Sequence, residues 1–297
     1  MAAARVSVII PAWNAASFIE KTLATLAAQT FRDFEVIVVD DGSTDSTKET
    51  VDRFLAGNGL RGRCLRQENK KIAGARNTGI RAAEADVISF LDHDDLWFPE
   101  KLAAVLAEFD ADPRADLVCH QENVVKDGAF LRVTRNGPWV ANMYEQLLFE
   151  GNALSPSAVT VKKSKLFEAG LFREDPRFNT VEDYDLWMRL AKIARMRFLD
   201  KVLGEYQLVE RGASNKIIYH NTNLEHLLRD HFSSVANESA RKRRRLGAMC
   251  RSAARLLMGQ GDLAAAGGYA RRAVIECPWD WKNAAVAGLW AVRRLGA

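Results

Sequence analysis

At 297 residues, the chain is long enough for one large α/β domain with an appendage, or for two modest domains. Its 48% hydrophobic and 27% charged residues exclude intrinsic disorder, a collagen and a disulfide-dense scaffold. The formal charge of +4 hides an asymmetry, because residues 222–297 carry 13 Lys and Arg against 6 Asp and Glu. A mildly acidic body therefore bears a basic tail, which suits an anionic surface better than a uniform coat of nucleic acid.

In chain order, residues 6–10, 35–39, 63–67 and 86–91 are short strand candidates, mostly rich in Val, Ile and Leu, separated by stretches of helical period. Ser17 with Glu20 and Ser46 with Glu49 match capping boxes and predict helix starts at both serines. Apolar strands alternating with helices indicate a mostly parallel sheet covered on both faces, with its ligand crevice beyond the carboxyl ends of the strands. Residues 99–110 predict a helix with Pro99 in its first turn, 115–135 a strand pair turning at Asp127 and Gly128, and Glu182 the start of a further helix. Beyond about residue 220 the pattern is helical, with a basic run at 241–245, breaks at Gly261 and Pro278, and a helical hairpin over about 246–276. The fold class is α/β, organised as a domain over 1–220 and a basic helical C-terminal extension over 221–297.

Cys64, Cys119, Cys250 and Cys277 are far apart and unpatterned, which predicts free thiols in a reducing compartment. The first apolar run is short and ended by Pro11, so no secretory signal is read. The longest apolar stretch, 284–292, is about half of the roughly 20 residues a membrane-spanning helix needs. The expectation is a cytoplasmic protein, with peripheral contact to the inner face of the membrane allowed.

Three strand ends carry the chemistry. The first is followed by Pro11, Ala12, Trp13 and Asn14, the second by Asp40, Asp41, Gly42 and Ser43, and the last by Asp92, His93, Asp94 and Asp95. Carboxylates gathered along one rim repel one another unless a cation or hydrogen-bond donors offset them. Asp92 and Asp94 lie two residues apart in an extended turn and can offer hard oxygen ligands to one Mn2+ or Mg2+. Asp40 and Asp41 either shape a turn into a helix cap or accept hydrogen bonds from a nucleotide base or ribose. Lys71, Gly74, Arg76 and Asn77, where a loop enters a helix, suit phosphate oxygens or else form a solvated basic face. Glu182, Asp183 and Asp185 at a helix start complement its dipole or supply a general base.

Four ordered blocks, VSVIIPAWNAASFIEKTLATLAAQTFRDFEVIVVDDGSTDST, AGARNTGI, ISFLDHDDLWFPEKL and VEDYDLWMRLA, resemble the signatures of family 2 glycosyltransferases with the GT-A fold, over about residues 5–210. The resemblance implies a nucleoside pocket lined by Pro11, Trp13, Asn14 and Asp41 with Asp40 close by, Arg76 at the nucleotide or its phosphates, Asp92 and Asp94 as the metal-binding pair, and Asp183 as the base. It further implies that Trp139, Asn152, Ser155 and Glu182 lie where sugar and acceptor bind. His93 replaces the Ser often found between the paired aspartates. Many relatives place a metal-binding His after the last core strand, whereas residues 206–214 contain none; Arg211 or Ser214 is the candidate diphosphate contact there. The activity implied is metal-dependent, inverting transfer of a sugar from a nucleotide-diphosphate donor, UDP foremost, to a glycan or lipid-linked acceptor in polysaccharide or cell-envelope synthesis.

The basic run 241–245, with Trp279, Trp281, Leu289 and Trp290, also reads as an interfacial tail for an anionic membrane. A non-catalytic protein binding nucleic acid or a membrane through that tail is the alternative, but it leaves the acidic rim unexplained, and no nucleic-acid partner is expected. A glycoside hydrolase would use two carboxylates without needing Asp40 and Asp41.

Overall fold

In this computed structural model, which describes residues 3–208 and 217–295, every residue of β1 (Val6–Ala12) and β2 (Phe34–Asp40) is buried, as expected of strands covered on both faces. Between and after them come α1 (Ile19–Ala27), α2 (Thr47–Gly57), β3 (Gly62–Arg66), α3 (Lys71–Ala82) and β4 (Val87–Phe90). Next are β5 (Leu96–Trp97), α4 (Lys101–Ala111), the hairpin β6 (Leu117–Lys126) and β7 (Ala129–Val133), α5 (Met143–Glu150), β8 (Val159–Lys162), α6 (Lys163–Glu168), α7 (Glu182–Leu190) and β9 (Met196–Gln207). Four helices follow: α8 (Ile217–Phe232), α9 (Ser239–Gly259), α10 (Leu263–Glu276) and α11 (Trp281–Leu295).

The strands form one sheet in the order β3-β2-β1-β4-β8-β6-β9-β5, with β7 paired to β6. Strands β1 to β4 pair in parallel, as does β6 with β9. β8 runs antiparallel to both β4 and β6, so the second half of the sheet is mixed. Pro11 is tolerated in central β1 because the pairing with β4 ends at Ile9 and Phe90, leaving no ladder bond for the missing N–H to make. The hairpin turns at Asp127 and Gly128, both with positive φ.

Neither capping box forms. α1 starts at Ile19 and α2 at Thr47, and neither N-cap side chain bonds its helix. Asp45 takes over both positions: its carboxylate accepts from Thr47 N at 3.0 Å and from Ala16 N at 3.2 Å, while Thr47 Oγ1 accepts from Ala15 N at 2.8 Å. One exposed acid thus satisfies the entrances of two helices and ties the β1 and β2 exits together, which a local motif search does not see. Pro99 falls two residues before α4. The four cysteines are unpaired.

The chain divides into two compact units, one within Met1–Tyr144 and Asn152–Glu210 and the other within Glu145–Gly151 and Arg211–Ala297. The first holds the sheet, with a core that joins Val6, Val8, Ile10, Leu23, Val36, Val38, Leu102 and Phe109. The second is helical, with a core of Ile217, Ala253, Ala254, Leu257, Met258, Ala266, Ala270 and Val286, and α9 and α10 form the expected hairpin. Among the described residues no helix is long and apolar enough to cross a membrane.

α3 lies against β1 through Gly79, where an added Cβ would sit 2.5 Å from Ile9 Cγ2. Ile9 is fully buried and β-branched, so it has little freedom to yield. Gly79→Ala is expected to lower unfolding free energy by about 1–2 kcal/mol, overpacking outweighing the helix-propensity gain. Urea denaturation of the variant checks this, and a stabilised variant would show that α3 and β1 can separate freely.

Candidate active site

The exits of β1 and β2 are held by their own polar side chains. Asn14, at φ 49, donates its N–H to Ser43 Oγ at 2.9 Å and accepts Thr44 N–H at 2.9 Å. Asp40 is fully buried and accepts from Ser43 N at 2.9 Å, with Arg66 Nε 3.7 Å from its other oxygen. Asp41 accepts from Gln67 Nε2 at 2.7 Å and Lys70 N at 2.8 Å through one oxygen. Its second oxygen accepts no hydrogen bond from the described residues. Pro11 is buried within β1, and Trp13 beside it is 55% exposed.

The centre of the site is Arg76. It lies in the second turn of α3, is 1% exposed, and donates from Nη2 to Asp92 Oδ1 at 2.7 Å and from Nη1 to Glu182 Oε1 at 2.8 Å. Burial works against its charge, but Asp92 and Glu182 outweigh that and raise its pKa. Three elements, α3, the β4 exit and the first turn of α7, thus meet at one guanidinium. Asn77, the next residue, is buried and bonds Phe172 O and Glu174; both residues sit inside the helix rather than at its N-terminus.

Asp183 adjoins this hub. Burial first, then the charge of Glu182, pushes its carboxyl up to about 7, with Arg76 pulling it down. It keeps partial exposure where Glu182 is buried. Asp94 is also raised, by burial and by Asp92, while His93 opposes the rise. The Tyr206 hydroxyl at the end of β9 is raised by burial and by Asp95, Asp92, Asp94 and Asp183, so these four acids share one neighbourhood.

Under the acidic turn lies a buried polar layer, of which sequence reasoning named only Asp95. Asp95, 1% exposed, accepts from Ser157 Oγ at 2.6 Å and from Gln207 N at 2.9 Å. Ser157 Oγ in turn accepts the Asp92 N–H at 3.0 Å, and Thr22 Oγ1 donates to His93 O at 2.8 Å. Deeper still, the Lys101 ammonium bonds Ser89 Oγ at 3.1 Å and Thr160 Oγ1 at 3.0 Å and stands 3.6 Å above the Trp97 ring. Burial drives Lys101 well down and pushes Glu122 up to about 7. The spacing of His120 and Glu122 on one face of β6 was the available signal, but the polar run His120, Gln121, Glu122, Asn123 ordinarily marks a solvated segment.

The remaining candidates are dispersed. Trp139 is 53% exposed. Asn152 accepts from Leu154 N in a local turn at 3.1 Å, and Ser155 turns a buried hydroxyl towards Glu122. Arg211 and Ser214 lie outside the described residues.

Among the described residues no group of three or more His, Cys, Asp and Glu is arranged to hold a metal ion. Asp92 keeps one oxygen outside the Arg76 bond, and Asp94 stands close enough to feel its charge. Two hard carboxylates suit Mg2+ or Mn2+ when phosphate and water oxygens complete the shell. Removing Arg76 would strand two acids around a buried gap. Arg76→Met is therefore expected to cost about 3–5 kcal/mol of stability, with Arg76→Lys intermediate because an ammonium cannot fork to both partners. Denaturant titration checks the order, and an Arg76→Met variant as stable as the parent would overturn it.

Residues 7–166 match the model of glycosyl transferase family 2. The chain is 34% identical over 220 residues to the amylovoran biosynthesis glycosyltransferase AmsB of Erwinia amylovora, covering 70% of this chain and 71% of that protein. It is 30% identical to chondroitin synthase of Pasteurella multocida, over 80% of this chain but 23% of that one, and it spans 36% of the glycosyltransferase RC0461 of Rickettsia conorii at 27% identity. In fold it matches S. aureus TarS 1-349 in complex with UDP, at TM-score 0.61 and 22% identity over 99% of this chain and 92% of that one. It likewise matches the mannosyltransferase PcManGT of Pyrobaculum calidifontis in complex with GDP-Man and Mn2+, at TM-score 0.63 and 22% identity over 99% and 88%. With the mixed sheet, the acidic strand-end rim and these likenesses together, the chain belongs to glycosyl transferase family 2 and is a glycosyltransferase of the GT-A fold.

Proposed function

We propose that the chain is a metal-dependent inverting glycosyltransferase that moves a sugar from a nucleotide-diphosphate donor, UDP-linked in this reading, to a hydroxyl of a glycan or lipid-linked acceptor. Its place is polysaccharide or cell-envelope synthesis at the cytoplasmic face of the membrane. The observation that carries the reading is the Arg76 bridge, which brings Asp92 of the acidic turn and Glu182, the neighbour of Asp183, to one point.

Asp183 takes the proton from the acceptor hydroxyl as that oxygen attacks the anomeric carbon. One direct displacement inverts that centre. Its raised proton affinity makes it a better base than an exposed aspartate, since a base works best with a pKa near the working pH. Arg76 and Glu182 hold the base beside the reacting centre, and Arg76 fixes Asp92. Asp92 and Asp94 would hold Mn2+ or Mg2+, which when bound supplies positive charge to offset that on the departing diphosphate. Asp41 turns its second oxygen to the nucleotide base, with Asp40 and Asn14 setting the loop and Trp13 offering a flat face. Trp139 and Asn152 are the residues we assign to the acceptor side. The UDP in TarS and the GDP-Man and Mn2+ in PcManGT support a nucleotide-sugar donor and a cation.

Asp183→Asn is expected to lower kcat by roughly 10² to 10⁴ with donor affinity nearly unchanged; undiminished turnover would remove Asp183 from the role. Because the base must be deprotonated, kcat/KM should fall as pH drops through about 7, far above the ordinary aspartate range. A pH–rate profile flat down to pH 5 would contradict this. Thermal shift with a panel of nucleotide sugars should give a rise for one UDP-sugar that depends on Mn2+ and is lost in Asp92→Ala and Asp94→Ala. Equal shifts with and without Mn2+ would sink the metal assignment.

A further inference from the structure

α11 has two apolar faces, and only one of them is used. Inward, Val286 and Asn283 are buried, and Trp290 donates Nε1 to Leu263 O at 2.7 Å with its ring where a Cβ of Gly267 would be. Trp290 is thus a core residue of the helical unit, not part of an interfacial face. Outward, Trp281 (72% exposed), Leu289 (43%), Val292 (68%) and Leu295 (90%) project into solvent, with exposed alanines and a glycine between them. At 100° per residue this outward face holds no polar or charged residue over about four turns, some 22 Å.

The borders of that face are cationic. Lys282 and Arg293 stand on one side and Arg294 on the other, and α11 contains no Asp or Glu. A second copy of α11 would bring cations against cations with no acid to answer them. The face is also broader than the narrow stripe of a paired helix. A flat, negatively charged, apolar-backed surface meets both requirements.

We propose that the outward face of α11 lies in the interface of an anionic lipid bilayer, with Trp281, Leu289, Val292 and Leu295 among the acyl chains and Lys282 and Arg294 at the headgroups, Arg293 being partly held by Met258 O at 3.1 Å. Four of the five cations of the run 241–245 are already held within the helical unit. Arg241 pairs with Glu145 at 2.8 Å, Lys242 bonds Phe232 O and Val235 O, Arg243 bonds Ile275 O and Glu276 O at 2.7 and 2.8 Å, and Arg245 bonds Leu148 O at 3.2 Å. This deepens the envelope-side reading above without depending on the chemistry assigned to the acidic rim.

Flotation of the full chain with phosphatidylcholine vesicles, with and without phosphatidylglycerol, tests it. The parent should float with the anionic vesicles only. The double variant Leu289→Glu, Val292→Glu should bind at least about tenfold less, and Trp281→Ser should fall in the same direction, with melting temperature and donor binding unchanged. Loss of donor binding in the parent would sink the enzymatic reading and leave flotation unaffected. The membrane proposal is overturned if the double variant floats like the parent or the parent ignores anionic vesicles. It is equally overturned if lipid-free sedimentation shows a self-association that the double variant abolishes, since a second copy is then the occupant.

Discussion

A guanidinium with almost no exposure cannot exist without its counter-charges, and that need organises this site. Arg76 reaches Asp92, 16 residues away, and Glu182, 106 residues away, so the acidic turn and α7 are tied through a single desolvated cation. The α7 dipole already favours acids in its first turn. Arg76 then neutralises Glu182 specifically and leaves Asp183 as the acid whose charge lacks a bonded cation. Burial raises the proton affinity of both carboxyls and Arg76 opposes it, but only Glu182 is bonded to the guanidinium, which is how one short segment can provide both a structural anchor and a base.

Behind this bridge, polar groups support the loop at a cost in stability. Among the described residues no cation is bonded to Asp95, yet it accepts from Ser157 and from the β9 backbone, and Ser157 fixes the Asp92 N–H. Among the described residues Lys101 is bonded only by hydroxyls and an aromatic face. Apolar side chains of similar volume would stabilise such a core at least as well. What the polar layer supplies is direction: it restricts the acidic turn to one backbone path, so that Asp92 meets Arg76 and Asp94 stays beside Asp92.

The strands of the first half were legible because apolar runs ended in Pro11, Asp41 and Asp92, and the acidic rim followed from parallel-sheet geometry. The resemblance to the family added the assignment of Asp183. The mixed half of the sheet was less readable, since a four-residue strand such as β8 carries little periodicity. Both capping boxes failed because Asp45 takes their place, locally at Thr47 N and across the fold at Ala16 N ahead of α1. The carboxylate bridge of Arg76 was not legible because its partners lie 16 and 106 residues away in sequence. Glu122 was missed because charged residues in strands are usually solvated, and Asp95, though read as part of the acidic rim, gave no sign of being its buried support.

The helical unit shows why net charge is a poor guide to partners. Much of the run 241–245 is consumed locally, Lys242 at the C-terminus of α8 and Arg243 at that of α10, where unsatisfied carbonyls and the negative end of the helix dipole attract cations. Arg251 is held by Asp280 at 2.7 Å and Asn283 at 2.5 Å, and Arg272 by Glu225 at 2.8 Å. A polyanion approaching this unit would compete with bonds already made. The cations of α11 differ in context rather than number: they edge a broad apolar face that no described residue covers, so their field and the hydrophobic effect act in the same direction.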